Sequence, residues 1–243
     1  EFEPTISFAI NQSDIVTSVS RSLKEETYRH FKVAKEIRVI PNFVCISKFN
    51  KEQDKCKKDL FAPSGEKVLM HISNFRKAKR IQDVIKIHSI VNAKIPTRLI
   101  LIGDGPERSS MERLAREEGV EDSTYFLGKI KETEKALCLA DVYLMTSETE
   151  SFGVSALEAL ASGVPVISSN TGGIPEVNTH NTTGFLSKVG DVEDMAKNLS
   201  NLLTDNELYT KFSLNALEKA KQFDISNVLP IYENLYDELL SKL

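Results

Sequence analysis

Two carboxylates, Glu150 and Glu158, stand with seven residues between them in the stretch SETESFGVSALEALASGVPVIS, residues 147–168. Phe152 and Gly153 lie in the gap. Acids placed this way admit three chemistries: a general acid/base pair, ligation of a metal ion, or acceptance of hydrogen bonds from vicinal hydroxyls. A metal needs more oxygen or nitrogen ligands than the local sequence supplies. The other two stay open, beside the plain alternative of a loop acid and a surface helix acid. The apolar run VYLMTS ends near Ser147, and a helical pattern starts near Phe152 or Gly153. The first N–H groups of that helix lack internal partners and, with the helix dipole, favour an anion. Gly153 lets a ligand approach the backbone closely. Glu158 lies about one and a half turns inside the helix, and helical side chains lean toward the N-terminus. Both acids are therefore expected to line one mouth. Carboxylates beside a diphosphate would repel it unless they face sugars on either side while cations hold the phosphates.

A source of cations lies upstream. HISNFRKAKR, residues 71–80, packs Arg76, Lys77, Lys79 and Arg80 into five positions behind an apolar strand. Such a run is either a solvated face or a seat for phosphate oxygens, which Arg meets with a planar fork and Lys with a point charge. In LILIGDGPE, Gly103 and Gly105 follow a strand, but Arg108 stands where a dinucleotide fingerprint needs its third glycine. That loop is either a tight turn whose Pro106 starts the next helix or one that grazes a ligand.

The elements that position these residues alternate in type. Strand runs are read at 14–20, the EIRVIPN stretch, 67–73, 98–103, 124–128, 142–147, 164–169 and 184–189, with helical patterns between most of them. GGIPEV reads as a turn, helices are expected over 192–204 and 206–222, and an amphipathic helix with Pro230 near its start ends the chain. Continuous apolar strands alternating with amphipathic helices imply an α/β fold with a Rossmann-like, doubly wound parallel sheet. Ligands bind such sheets at the carboxyl ends of the strands. The charged segment 48–67 reads as a linker or peripheral helix. The chain has 243 residues, 41% hydrophobic and 27% charged, which suits an ordinary globular protein. Its net charge of −4 argues against a broad nucleic-acid footprint. No apolar run approaches the roughly 18 residues of a membrane helix. Cys45, Cys56 and Cys138 have no metal spacing and are expected as three reduced thiols. The chain opens without Met, which reads as a fragment.

ESFGVSALE resembles the Glu-x7-Glu motif of the retaining GT-B glycosyltransferases of family 4. SDIVTSVS, IPN, HISNFRKAKR, LIGDGPE, FLGK, ADVYLMTSETESFG, ASGVPVIS, GGIPEV and TGFL agree with that family in order. The resemblance implies a nucleotide-sugar donor held by the C-terminal of two Rossmann-like domains, transfer with retention, no cofactor and no required metal. It implies that Glu150 meets the donor-sugar hydroxyls as the catalytic-site acid, and that Glu158 meets the ribose. The backbone of Phe152, Gly153 and Val154 would face sugar and phosphates, Lys79 would bind phosphate, and the backbone of Gly128, Lys129 and Ile130 would hold the base. Asn74 stands where the family has an arginine, and Arg76 is expected to supply the missing charge. By the same resemblance, residues 1–43 are the tail of an N-terminal acceptor domain, 44–222 the donor domain, and 223–243 a helix crossing back. Within the family, HISNFRKAKR, PNF and TGGIPEV most resemble the N-acetylglucosaminyl L-malate synthases of the bacillithiol pathway. That implies UDP-GlcNAc as donor, a small-molecule acceptor at the missing domain, and a cytoplasmic enzyme without nucleic-acid or membrane partners; a homo-oligomer stays open. A transferase for cell-wall or capsular polysaccharide and a non-catalytic sugar-nucleotide-binding module are the alternatives.

Overall fold

The computed structural model describes residues 2–49 and 57–241. The N-terminal part carries α1 (Glu3–Gln12), β1 (Val16–Ser18), α2 (Arg21–His30) and β2 (Ile37–Val39). Strands β1 and β2 form their own two-stranded parallel sheet. A larger unit follows, built on β3 (Lys67–Ile72), β4 (Thr97–Ile102), β5 (Thr124–Gly128), β6 (Val142–Met145), β7 (Val166–Ser169) and β8 (Gly184–Ser187). These six pair in the order β5-β4-β3-β6-β7-β8, all parallel. Numbered within the unit, that is the doubly wound order 3-2-1-4-5-6, in which the direction of winding reverses between β3 and β6.

Strand composition explains why both faces are covered. On β3, β4 and β6, Val68, Met70, Ile100, Ile102, Tyr143 and Met145 enter one core layer. The alternate residues Leu69, Leu99, Leu101, Val142 and Leu144 enter the other. A side-chain period of two with apolar residues at both phases leaves no face for water. Helices α3 (Ile81–Asn92), α4 (Arg108–Glu117) and α8 (Val192–Thr204) cover one side. On the other lie α6 (Val154–Ala161) and α9 (Asn206–Lys221). Ala156, Ala159 and Ala161 of α6 are buried, so small side chains let this helix sit close to its neighbours. Between β5 and β6 lies the short α5 (Thr133–Leu137), and after β7 the short α7 (Ile174–Val177). The last helix is α10 (Ile225–Leu240), whose Asp224 cap accepts from the Ser226 N–H at 2.9 Å.

Several expectations change. GGIPEV makes its expected turn at Gly172 and Gly173 and then a short helix over Ile174–Val177, α1 is a helix that the sequence does not suggest, and α4 begins two residues beyond Pro106. Segment 48–67 resolves into short 3-10 turns at Ile46–Phe49 and Lys58–Leu60, and its residues 50–56 lie outside the described residues. Cys138 is disulfide-bonded, which corrects the expectation of three reduced thiols; Cys45 is free and Cys56 lies outside the described residues. Among the described residues, no helix is long and apolar enough to cross a membrane.

Candidate functional site

The carboxyl ends of the strands carry loops tied to one another by hydrogen bonds. Gly103 N–H donates to the Gly128 carbonyl at 2.8 Å, joining the loops after β4 and β5. Phe75 N–H donates to the Asp104 carbonyl at 3.0 Å, joining those after β3 and β4. Glu148 N–H donates to the Ala78 carbonyl at 2.8 Å, and the Thr146 hydroxyl donates to the carbonyls of Lys79 and Arg80 at 3.0 Å each. These bonds cross the switch point from β3 to β6. Gly173 N–H then donates to the Glu150 carbonyl at 2.9 Å, and the Thr171 hydroxyl to the Glu148 carbonyl at 3.0 Å. A continuous lace therefore runs from residue 128 to residue 173.

This lace explains the glycines. A Cβ on Gly103 would sit 1.8 Å from the Ser73 carbonyl oxygen, and one on Gly105 2.5 Å from that of Phe75. Both glycines serve backbone-to-backbone packing, so LIGDGPE is a tight turn by construction. Gly172 and Gly173 act likewise against the carbonyl oxygens of Glu150 and Ser151, at 2.0 and 2.3 Å from a built Cβ.

At the switch point Lys79 Nζ meets Glu150 Oε2 at 2.6 Å, both side chains being largely covered. The Ser147 hydroxyl donates to the same carboxylate oxygen at 3.4 Å. Gly153 precedes α6 with φ +96°, the left-handed region that glycine enters without a Cβ clash. Phe152 points its ring into the core, edge-on to Phe223 at 5.6 Å, so only its backbone is left for a ligand. Val154 is 41% exposed. Asn74 and Arg76 are exposed on the loop after β3, whereas Arg80 turns away and holds Asp83 at 2.6 Å. Gly128 ends β5 at φ +70°, Lys129 is exposed, and Ile130 packs against the core. Strands β5 and β6 are three steps apart in the sheet, about 14 Å at the usual spacing.

The two glutamates have different neighbours. Glu150 lines a cleft of about 620 Å³ whose other walls are α2, from Ser22 to Phe31, and the Thr171–Gly172 loop. Glu158 faces α5 instead. Burial raises its pKa first, the nearby Glu134 charge adds to the rise, and the Thr133 hydroxyl opposes it. The charges of both glutamates reach Tyr143, so both lie around the start of α6, Glu150 lining the cleft and Glu158 near α5.

Three participants escape the sequence reading. Tyr143 is fully buried; its hydroxyl donates to the Ile72 carbonyl at 3.0 Å and accepts from the Ile72 N–H at 3.2 Å. Burial raises its pKa above the ordinary phenol range, opposed by the nearby Ser155 hydroxyl in the first turn of α6. Its sequence signal is a lone hydroxyl in the apolar run VYLM, since a buried tyrosine needs a partner. His71 lies beneath the same rim, with Nδ1 on the Leu144 carbonyl at 2.8 Å and Nε2 on the Ser73 hydroxyl at 2.7 Å. Burial lowers its pKa to about 4. The ring is neutral at pH 7, Nδ1 carries the proton because a carbonyl only accepts, and Ser73 donates to Nε2. Glu176, on α7, is the third; its carboxylate reaches across to α2.

Residues 52–219 match the family of glycosyl transferases group 1. The chain belongs to that family. Over 97% of its length, this glycosyl transferase chain is 40% identical to an N-acetyl-alpha-D-glucosaminyl L-malate synthase of Bacillus anthracis, of which it covers 62%. It is 28% identical over 98% of its length to the gpi3 subunit of a phosphatidylinositol N-acetylglucosaminyltransferase of Schizosaccharomyces pombe, of which it covers 51%. The chain therefore spans between half and two thirds of these relatives' lengths. Among solved structures, Anabaena Alr3699/HepE in complex with UDP and glucose superposes with a TM-score of 0.87 at 22% identity, over 99% of this chain and 66% of that one. At that identity the likeness speaks for the fold, which is that of the C-terminal half of GT-B glycosyltransferases.

Proposed function

We propose that this chain is the donor-binding part of a retaining glycosyltransferase that moves N-acetylglucosamine from UDP-N-acetylglucosamine to L-malate. The observation that carries the donor reading is the Lys79–Glu150 pair at the switch point, beside the Gly153 entrance to α6. An ammonium has three donors, so Lys79 keeps Glu150 and still offers hydrogens to a phosphate. The free N–H groups at the start of α6 add a second anion contact. Glu150 then accepts from sugar hydroxyls on the cleft side, and Glu158, facing α5, from the ribose. The backbone of Gly128 to Ile130 takes the base. The three strand steps between those loops give an extended nucleotide sugar room to lie along the rim. Arg76, exposed two residues beyond Asn74, adds charge where the family has its arginine. On this reading Lys79, the N–H groups at the start of α6 and the two glutamates bind and orient the donor, and no metal is required. Residues 1–43 form the end of an acceptor domain, and α10 crosses toward it.

Support for the sugar and for the acceptor differs. Both relatives described above carry N-acetylglucosaminyl in their names, with different acceptors, whereas malate rests on the Bacillus anthracis relative alone. The same sugar on another acceptor is the second reading. Calorimetry on the 243-residue chain tests the donor assignment. UDP should bind, Glu158→Ala should weaken it about tenfold or more through lost charge-assisted hydrogen bonds, and Glu150→Ala should spare UDP while weakening the UDP-sugar. Absence of UDP binding would sink the proposal; equal losses for UDP and UDP-sugar in Glu150→Ala would sink the division of roles. The chain alone should not transfer sugar to malate, and turnover by it would overturn the reading of an absent acceptor domain.

A further inference from the structure

The N-terminal part touches the rim loops through a contact that nucleotide binding does not require. Helix α2 begins at Arg21, and its leading N–H groups have no partners inside the helix. Arg21 N–H donates to Glu176 Oε2 at 3.1 Å and Ser22 N–H to Glu176 Oε1 at 3.0 Å, across 155 and 154 residues of sequence. The third N–H, of Leu23, goes to the Ser20 hydroxyl at 3.0 Å, and that hydroxyl donates in turn to the Ser151 carbonyl at 2.7 Å. Ser20 is fully buried. One helix start is thus held by a carboxylate from α7 and by a loop carbonyl next to Phe152.

Both anchor points belong to the lace. Glu176 sits three residues beyond Gly173, whose N–H holds the Glu150 carbonyl. Ser151 follows Glu150 directly, and its carbonyl oxygen is the atom that a Cβ on Gly173 would strike. The walls of the 620 Å³ cleft, α2 on one side and residues 149–151 with 171–172 on the other, converge on this contact. A carboxylate at the positive end of a helix is favourable on its own account, and two N–H groups sharing it fix the direction of the helix as well as its position. Lys219 of α9 lies near enough for its charge to interact with Glu176, so the carboxylate is bracketed by positive ends on two sides.

We propose that Glu176 is a positioning residue, a clasp that docks α2 onto the rim loops and thereby sets the opening of the cleft beside Glu150. Its bearing on sugar transfer rests on the donor reading given above; the clasp itself does not.

Hydrogen–deuterium exchange on the 243-residue chain tests it. Glu176→Ala should speed exchange at Arg21 and Ser22 by at least about tenfold, as loss of a charge-assisted bond implies. It should also speed exchange across residues 149–153, with the amides of β3, β4 and β6 unchanged. Glu176→Gln keeps the length and one carbonyl acceptor, and should restore part of the protection; it also serves if the alanine variant does not fold. Unchanged exchange at Arg21 and Ser22 would overturn the proposal. Faster exchange there with an unmoved 149–153 loop would overturn it too, because the clasp would then hold α2 without shaping the cleft. UDP titration of the unsubstituted chain separates this from the donor assignment: a chain that fails to bind UDP but shows the expected exchange loses the function and keeps the clasp.

Discussion

At the scale of single residues, each acid in the Glu-x7-Glu motif has a different neighbourhood. Glu150 is paired with Lys79 and looks into the cleft, whereas Glu158 is half-covered and stands near Glu134. The pKa of Glu158 is raised, chiefly by burial, so its carboxylate takes up a proton at higher pH than an ordinary glutamate. A ribose diol needs the ionised form as acceptor. UDP affinity should therefore fall on acidification, beginning above the ordinary carboxylate range. Glu158→Gln should flatten that fall, while the phosphate's own titration remains common to both proteins. Calorimetry from pH 7.5 to 5 measures it, and parallel profiles would refute the ribose role. That both glutamates, Lys79 and Gly153 sit beyond strand ends was legible in the sequence from the alternation of apolar runs and helical patterns, whereas the roles proposed for them come from the family resemblance. Their neighbours were not, because the elements that pack beside each acid come from distant parts of the chain.

At the scale of elements, the rim depends on glycine contacts that hold loops at backbone distance. Gly172 has φ +53°, and a Cβ there would lie 2.0 Å from the Glu150 carbonyl oxygen, a rigid backbone atom. Gly172→Ala should cost about 2–4 kcal/mol, from strain and forced loop displacement, and should lower Tm by about 5–10 °C. UDP-sugar binding should fall with it, because Glu150 moves. Gly119→Ala is the control: it too has positive φ, but nothing lies within 4 Å of its Cβ, so only about 1–2 kcal/mol is expected. Thermal unfolding of the two variants checks this, and equal losses would mean that backbone crowding at residue 172 is unimportant. Strands and long helices follow from periodicity alone. Helix α1 does not, because Ser7 is its one buried residue and no apolar stripe forms. Nor does α7, which at four residues is barely longer than one helical turn.

At the scale of the whole molecule, two buried imidazoles link stability to pH. His71 is held by Leu144 and Ser73, and His88 by Ser123 and Thr97, at 2.9 and 3.1 Å in the second case. Burial lowers each to about 4 from the ordinary 6.5, with help from the Lys79 charge at His71 and the Arg98 charge at His88. The unfolded chain then binds more protons than the folded one between those values. Stability present above pH 6.5 is lost as pH falls toward 4, by about 3 kcal/mol for each ring. Urea unfolding at pH 7 and pH 4.5 should show the loss, with a smaller one in His88→Gln. Equal losses in variant and parent would refute the buried neutral His88. The N-terminal part is tied to the larger unit by the Glu176–α2 contact, by Arg38 with Glu238 of α10, and by a parallel bridge of Val44 with Asp224. These ties join segments far apart in sequence and were not legible in it.

The fold class was already determined by the sequence. Short β-branched apolar runs with both phases filled, bounded by turn residues, read as strands covered on two faces, and the amphipathic segments between them as the covering helices. The charges at the strand ends were equally local: a cationic loop after one strand, and acids around a glycine after another. Tertiary structure alone decided which loops meet. Lys79 reaches Glu150 across 71 residues because β6 pairs with β3 rather than with β5, which precedes it in the chain. Strand order depends on which apolar faces close best together in three dimensions, and no window of sequence contains that information.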